Sequence, residues 1–130
     1  MLFTRRRFAV VIITLTLVSF SVLAQRKPER VRFQKGHTST ILKGRLITYD
    51  AKDYLLGAAK GQTMKIKLET SEAYFVVFPA KGEPIEMGPR TDWSETLMES
   101  GDYIVRVFLM RGVARRKGSN ANYALKIEIK

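Results

Sequence analysis

Three observations predict an all-β chain, an antiparallel β-sandwich of about eight short strands preceded by a cleaved signal peptide. Beyond the first two dozen residues, apolar side chains recur with period two, and no window holds a convincing helical stripe. Turn-forming dipeptides separate almost every apolar run. The 130 residues, 45% of them apolar, can build one packed core but leave no room for two domains. The remaining architectural alternative is a closed barrel, which differs only in whether the edge strands pair.

The first segment belongs to export and not to the fold. Arg5, Arg6 and Arg7 form a positive region ahead of an apolar run from Phe8 to Phe20, too short for a membrane span. Val22-Leu23-Ala24 then offers the small residues that a signal peptidase prefers, so residues 1–24 read as the signal and 25–130 as one domain, with the cut before Gln25. An uncleaved anchor is the competing reading. Thr4-Arg5-Arg6-Arg7-Phe8 also fits a twin-arginine signal, although the strongly apolar run and the lack of a cofactor motif favour the ordinary secretory route. No Cys follows the cut, which excludes a lipoprotein. Cleavage takes three from the 23 cations and none from the 12 acids, so the net charge falls from +11 to +8. A basic, cysteine-free exported chain suits a periplasm and depends on no disulfide.

The strands follow in order. Arg30 to Phe33 and Ser39 to Ile47 are candidates, then Tyr54 to Ala58. Met64, Ile66 and Leu68 alternate with Lys65 and Lys67, giving one dry and one wet face. Ala73 to Phe78 is continuously apolar, the pattern of a central strand buried on both faces. Ser94 to Met98 is a weaker candidate. Tyr103, Val105, Val107 and Leu109 form one face of the next strand, and Ile104 and Phe108 make its other face apolar too. Tyr123, Leu125, Ile127 and Ile129 alternate with Asn122, Lys126 and Glu128 in the last. Two connections stand out. Residues 79–92 hold Pro79, Pro84 and Pro89, and the stretch from Arg111 to Asn120 carries four cations and no acid between two of the clearest strands.

Little here supports catalysis. His37 is the single imidazole and sits beside Thr38 and Ser39 in a turn, where a structural or surface role suffices. Asp50 and Asp53 flank Lys52, as a solvated loop would. The chain has no phosphate-cradling glycine loop, no metal-ligand spacing and no Cys nucleophile, so it is read as a non-enzyme with no cofactor and no metal. Binding is the function to seek. The basic Arg115-Arg116-Lys117 run could neutralise nucleic-acid phosphates, but an exported protein rarely meets them. Anionic lipid would call for an amphipathic helix, which is absent. An acidic cleft in another protein fits best, because guanidinium groups pair with carboxylates in planar geometry.

Several segments occur in one order: Phe33-Gln34-Lys35-Gly36-His37-Thr38-Ser39, Tyr49-Asp50, Ala59-Lys60-Gly61-Gln62, Ser100-Gly101-Asp102-Tyr103-Ile104-Val105-Arg106-Val107, Arg111-Gly112-Val113-Ala114-Arg115 and a closing Ile127-Glu128-Ile129-Lys130. Together they resemble the periplasmic inhibitors of g-type (goose-type) lysozyme, over residues 31–130. The resemblance implies a β-sandwich that plugs the cleft of a g-type lysozyme and so protects peptidoglycan. It implies lysozyme contact by Tyr49, Asp50, Arg111 and Arg115. Ser100, Gly101 and Tyr103 match a Ser-Gly-x-Tyr motif shared by several lysozyme-inhibitor families, and a turn followed by a core tyrosine explains them equally. Where the family tends to place Gly ahead of the Tyr-Asp pair this chain has Thr48, whose branched side chain narrows the backbone choices. The implied partner is the lysozyme, with no nucleic acid and no membrane after signal cleavage. Two alternatives of other kinds remain: a non-inhibitory envelope module binding glycan or anion, and an assembly partner of another exported protein.

Overall fold

The computed structural model describes residues 27–70, 72–81, 85 and 87–130. The signal segment and its cut before Gln25 lie outside the described residues, as does part of the proline-bearing connection 79–92. Among the described residues there are eight strands: β1 (Glu29–Arg30), β2 (Ser39–Ile47), β3 (Ala51–Ala58), β4 (Thr63–Glu69), β5 (Ala73–Pro79), β6 (Asp92–Thr96), β7 (Gly101–Leu109) and β8 (Asn120–Ile129). They form two four-stranded sheets, β1-β3-β7-β5 and β2-β8-β4-β6, so the fold is a sandwich with free edges and not a closed barrel.

Period-two alternation decides which side chains meet between the sheets. Tyr54 and Leu56, Phe75 and Val77, and Val105 and Val107 face inward from one sheet. Met64, Ile66 and Leu68, with Tyr123, Leu125 and Ile127, face them from the other. Registry is fixed along the long ladders, with Ser39 opposite Glu128 through to Ile47 opposite Asn120, and Ala51 opposite Phe108 through to Ala58 opposite Gly101. Among the described residues no charged side chain is buried. One polar contact crosses the core: the Tyr54 and Tyr123 hydroxyls lie 2.6 Å apart, one from each sheet. Gly44 is opposite Tyr123 in the β2–β8 ladder, and a Cβ there would collide with the Tyr123 ring.

The structure corrects several sequence expectations. β5 is an edge strand and not a central one. Its inner face packs the core, and its free edge exchanges two backbone hydrogen bonds between Phe75 and Arg90, of 2.9 and 3.0 Å. The first strand shortens to Glu29–Arg30 and pairs parallel to β3, whereas the other strand pairs among the described residues are antiparallel. β3 begins earlier than expected, at Ala51, because its ladder with β7 reaches Phe108. β6 stops at Thr96, leaving Met98 exposed. The basic connection opens with one helical turn, α1 (Arg111–Ala114), too short to show a periodic pattern in sequence.

Candidate functional site

Two connections that cross between the sheets meet at one end of the sandwich. The first joins β2 to β3. Asp50 donates its backbone N–H to the Ile47 carbonyl at 3.0 Å, closing a four-residue turn with Thr48 and Tyr49 at its tip. Thr48 has φ +49°, in the left-handed region that glycine enters freely and a β-branched residue enters with strain. The turn thrusts Tyr49 outward, with 68% of its surface exposed. Asp50 is half-buried and borders a small cleft of about 250 Å³ with Lys43, Arg45 and Lys52.

The second connection joins β7 to β8 through α1. Val113 and Ala114 donate to the Met110 carbonyl at 3.0 and 2.8 Å, and Arg115 donates to Arg111 at 3.0 Å. Ala114 is buried and Val113 packs on the core, so the turn is anchored by its apolar side. Arg111 and Arg115 stand four residues apart on that turn, hence on the same side of it, and both are exposed. Neither enters an ion pair among the described residues. Arg116 does: its Nη2 lies 3.1 Å from Glu72 Oε1, tying the loop to the connection between β4 and β5. Gly118, at φ +74°, turns the chain back into β8.

The two connections are joined directly. Thr48 donates its backbone N–H to the Ser119 carbonyl at 3.0 Å, one step beyond the Ile47–Asn120 pair of the ladder. Tyr49, Arg111 and Arg115 therefore share one end of the molecule. This end is cationic and exposed, presenting planar groups that can stack and donate paired hydrogen bonds to carboxylates. Arg116's tether to Glu72 and the anchoring by Val113 and Ala114 lie outside the sequence expectations. The apolar pair inside a cationic run was the visible signal for the anchor.

Ser100, Gly101 and Tyr103 sit at the opposite end, across β7, which is about 30 Å long at strand rise. Ser100 Oγ accepts the Lys60 backbone N–H at 2.7 Å, and Gly101 takes φ +142°. Tyr103 is buried and its hydroxyl donates to the Glu99 carbonyl at 2.5 Å, a corner that pins the start of the strand. A groove of about 760 Å³ opens beside them, lined by Trp93, Leu97, Met98 and Glu99 among others. Among the described residues no three His, Asp or Glu side chains gather as metal ligands.

No protein-family model matches the chain. It is 30% identical, over 125 residues, to the inhibitor of g-type lysozyme from Escherichia coli strain K12, covering 92% of this chain and 93% of that protein. Among solved structures it resembles a periplasmic inhibitor of g-type lysozyme from Aeromonas hydrophila, with a TM-score of 0.72, 34% identity and coverage of 79% of this chain and 96% of the other. The corresponding inhibitor from Salmonella Typhimurium gives a TM-score of 0.66 at 28% identity, covering 82% of this chain and all of that one.

Proposed function

The chain belongs to the family of g-type lysozyme inhibitors, and from that premise we propose that it blocks a g-type lysozyme in the periplasm with the end of the sandwich carrying Tyr49, Asp50, Arg111 and Arg115. Glycoside hydrolysis of this kind relies on a carboxylic acid that protonates the leaving oxygen, so the cleft to be filled bears acid. A guanidinium opposite such a group makes a short, charge-assisted hydrogen bond. An exposed tyrosine adds a large amphipathic ring at little entropic cost, and arginine and tyrosine are the residue types enriched at interface hot spots.

The observation that carries this reading is the joined pair of loops. The Thr48–Ser119 hydrogen bond and the helical spacing of Arg111 and Arg115 hold three such groups at one tip before any partner arrives. Preorganisation of this kind reduces the ordering cost of binding.

The experiment is titration of a g-type lysozyme with the purified protein and with Arg111→Ala and Arg115→Ala, each variant also melted. Each variant is expected to lose about 2–4 kcal/mol of binding while melting like the parent, because both side chains are solvated. Variants that melt normally and inhibit as well as the parent would place the anchors elsewhere. Enzymes of the c-type and i-type run alongside are expected to be little affected. Equal inhibition of the c-type enzyme would remove the selectivity from the reading.

A further inference from the structure

The sheet β1-β3-β7-β5 is apolar on both faces. Outward from the core, Leu55, Tyr74, Val76, Phe78, Ile104 and Phe108 are each half-buried. They stand in adjacent rows: Phe108 between Ala51 and Tyr74, Arg106 between Asp53 and Val76, and Ile104 between Leu55 and Phe78. An antiparallel sheet with one side in water alternates apolar with polar residues, and this one departs from that pattern across three strands.

Its charged groups are satisfied within the face. Arg106 Nε and Nη2 donate to the two Asp53 carboxylate oxygens at 2.8 and 2.9 Å, with the guanidinium 5.2 Å from the centre of the Phe78 ring. Arg30 makes the same two-point contact with Asp102, at 3.2 and 3.1 Å. The Asp53 pairing and the Asp102 pairing hold both arginines more firmly protonated than usual, and Arg30 draws the Asp102 carboxyl below its ordinary range. These four charges cancel, and Lys81 beside Asp102 adds a cation at the rim, so the face is close to neutral in a chain of 23 cations and 12 acids.

We propose that this outer sheet face is a self-association surface on which a second copy of the chain docks. An acidic protein is drawn to the arginine end, and a polyanion to the opposite sheet with Lys43, Lys65, Lys67 and Lys126 outward. The nearly neutral face offers either of them little. A second copy brings the same apolar rows and the same internally paired charges, and it meets them with less like-charge contact than most other faces of so basic a molecule would impose. The contact is isologous, one sheet laid on its twin about a twofold axis.

Its size sets its strength. Six residue steps along the strands and four strands across give a patch of about 20 Å by 19 Å, roughly 400 Å² per copy. A stable interface buries roughly 800 Å² per partner, so the dimer is weak and forms only at high concentration. Tyr49, Arg111 and Arg115 lie off this face at the end of the strands. Both copies keep them free, and association does not depend on the lysozyme reading.

The test is sedimentation equilibrium of the purified protein from about 10 μM to about 1 mM, the range in which a weak dimer forms. The mass is expected to climb from monomer toward dimer, and added salt to strengthen the association by screening the net positive charge. Val76→Glu is expected to remain monomeric throughout, whereas Lys126→Gln on the other sheet associates like the parent. Because a strand substitution can disturb folding, backbone amide shifts of the unaltered protein provide a second readout. They are expected to move with concentration along residues 53–55, 74–78 and 104–108. A parent that stays monomeric at about 1 mM, a Val76→Glu variant that associates as tightly, or shifts confined to residues 111–119 would each overturn the proposal.

Discussion

Thr48 shows how one residue can set the pose of its neighbour. The turn it opens needs a left-handed backbone, and φ +49° at a β-branched residue costs on the order of 1–2 kcal/mol relative to glycine. The Thr48 N–H bond to Ser119 holds it there. Thr48→Gly is therefore expected to raise stability by up to about 1 kcal/mol, part of the relieved strain being offset by glycine's greater freedom in the unfolded chain. Urea denaturation measures this, and a midpoint at or below that of the parent would mean that the turn stores no strain. The departure from glycine and the Tyr49-Asp50 pair stand out only against the family resemblance, since the residues alone read as a solvated loop. The strain is legible in neither, since it depends on where β2 ends against β8.

Among the elements, strands were legible where one face is wet and obscure where neither is. Ser39–Ile47 keeps its expected bounds because every one of its residues pairs along the β8 ladder, although Ile41 and Ile47 face outward with the polar residues. Ala73 to Phe78 reads as central because both faces are apolar, yet β5 lies at an edge, for periodicity reports burial and not neighbours. Long-range pairs are invisible to any local pattern: Arg116 and Glu72 are 44 residues apart, and Tyr54 and Tyr123 are 69 apart. The tyrosine pair links the sheets and carries a consequence. Burial, and then the hydrogen bond to Tyr54, raise the Tyr123 hydroxyl well above its ordinary value of 10.0. An unfolded chain releases that proton near pH 10, whereas the folded one retains it, so the folded state binds more protons and stability falls as pH rises beyond 10. Tyr123→Phe keeps the ring that faces Gly44 and removes the titrating group. It is expected to lose about 1 kcal/mol near neutrality and to flatten the decline in melting temperature between pH 10 and 11.5. An unchanged alkaline slope would locate the titrating group elsewhere.

At the scale of the whole molecule, charge and chain direction act together. Both connections at the end carrying Tyr49 cross between the sheets, so the fold itself gathers the cations of the run from Arg111 to Lys117 at that end of a molecule already strongly basic. Such a field speeds encounter with an acid-lined cleft and weakens with salt. Arg116 and Lys117 each contribute one charge to it, and the ion pair with Glu72 does not alter that, because removing Arg116 leaves an uncompensated carboxylate in its place. Arg116→Gln and Lys117→Gln are therefore expected to slow association with g-type lysozyme by a similar, few-fold factor at low ionic strength. They differ once the complex has formed. Lys117 has no ion pair among the described residues, whereas Arg116 ties the loop that presents Arg115 to the neighbouring connection. Exposed pairs are worth about 0–1 kcal/mol, so loss of the tether raises the dissociation rate by up to about fivefold. Rate measurements across a salt series separate the two: on-rates that fall together, with only Arg116→Gln dissociating faster. Equal dissociation of both variants from the enzyme would show that the Glu72 pair does not hold the loop for binding.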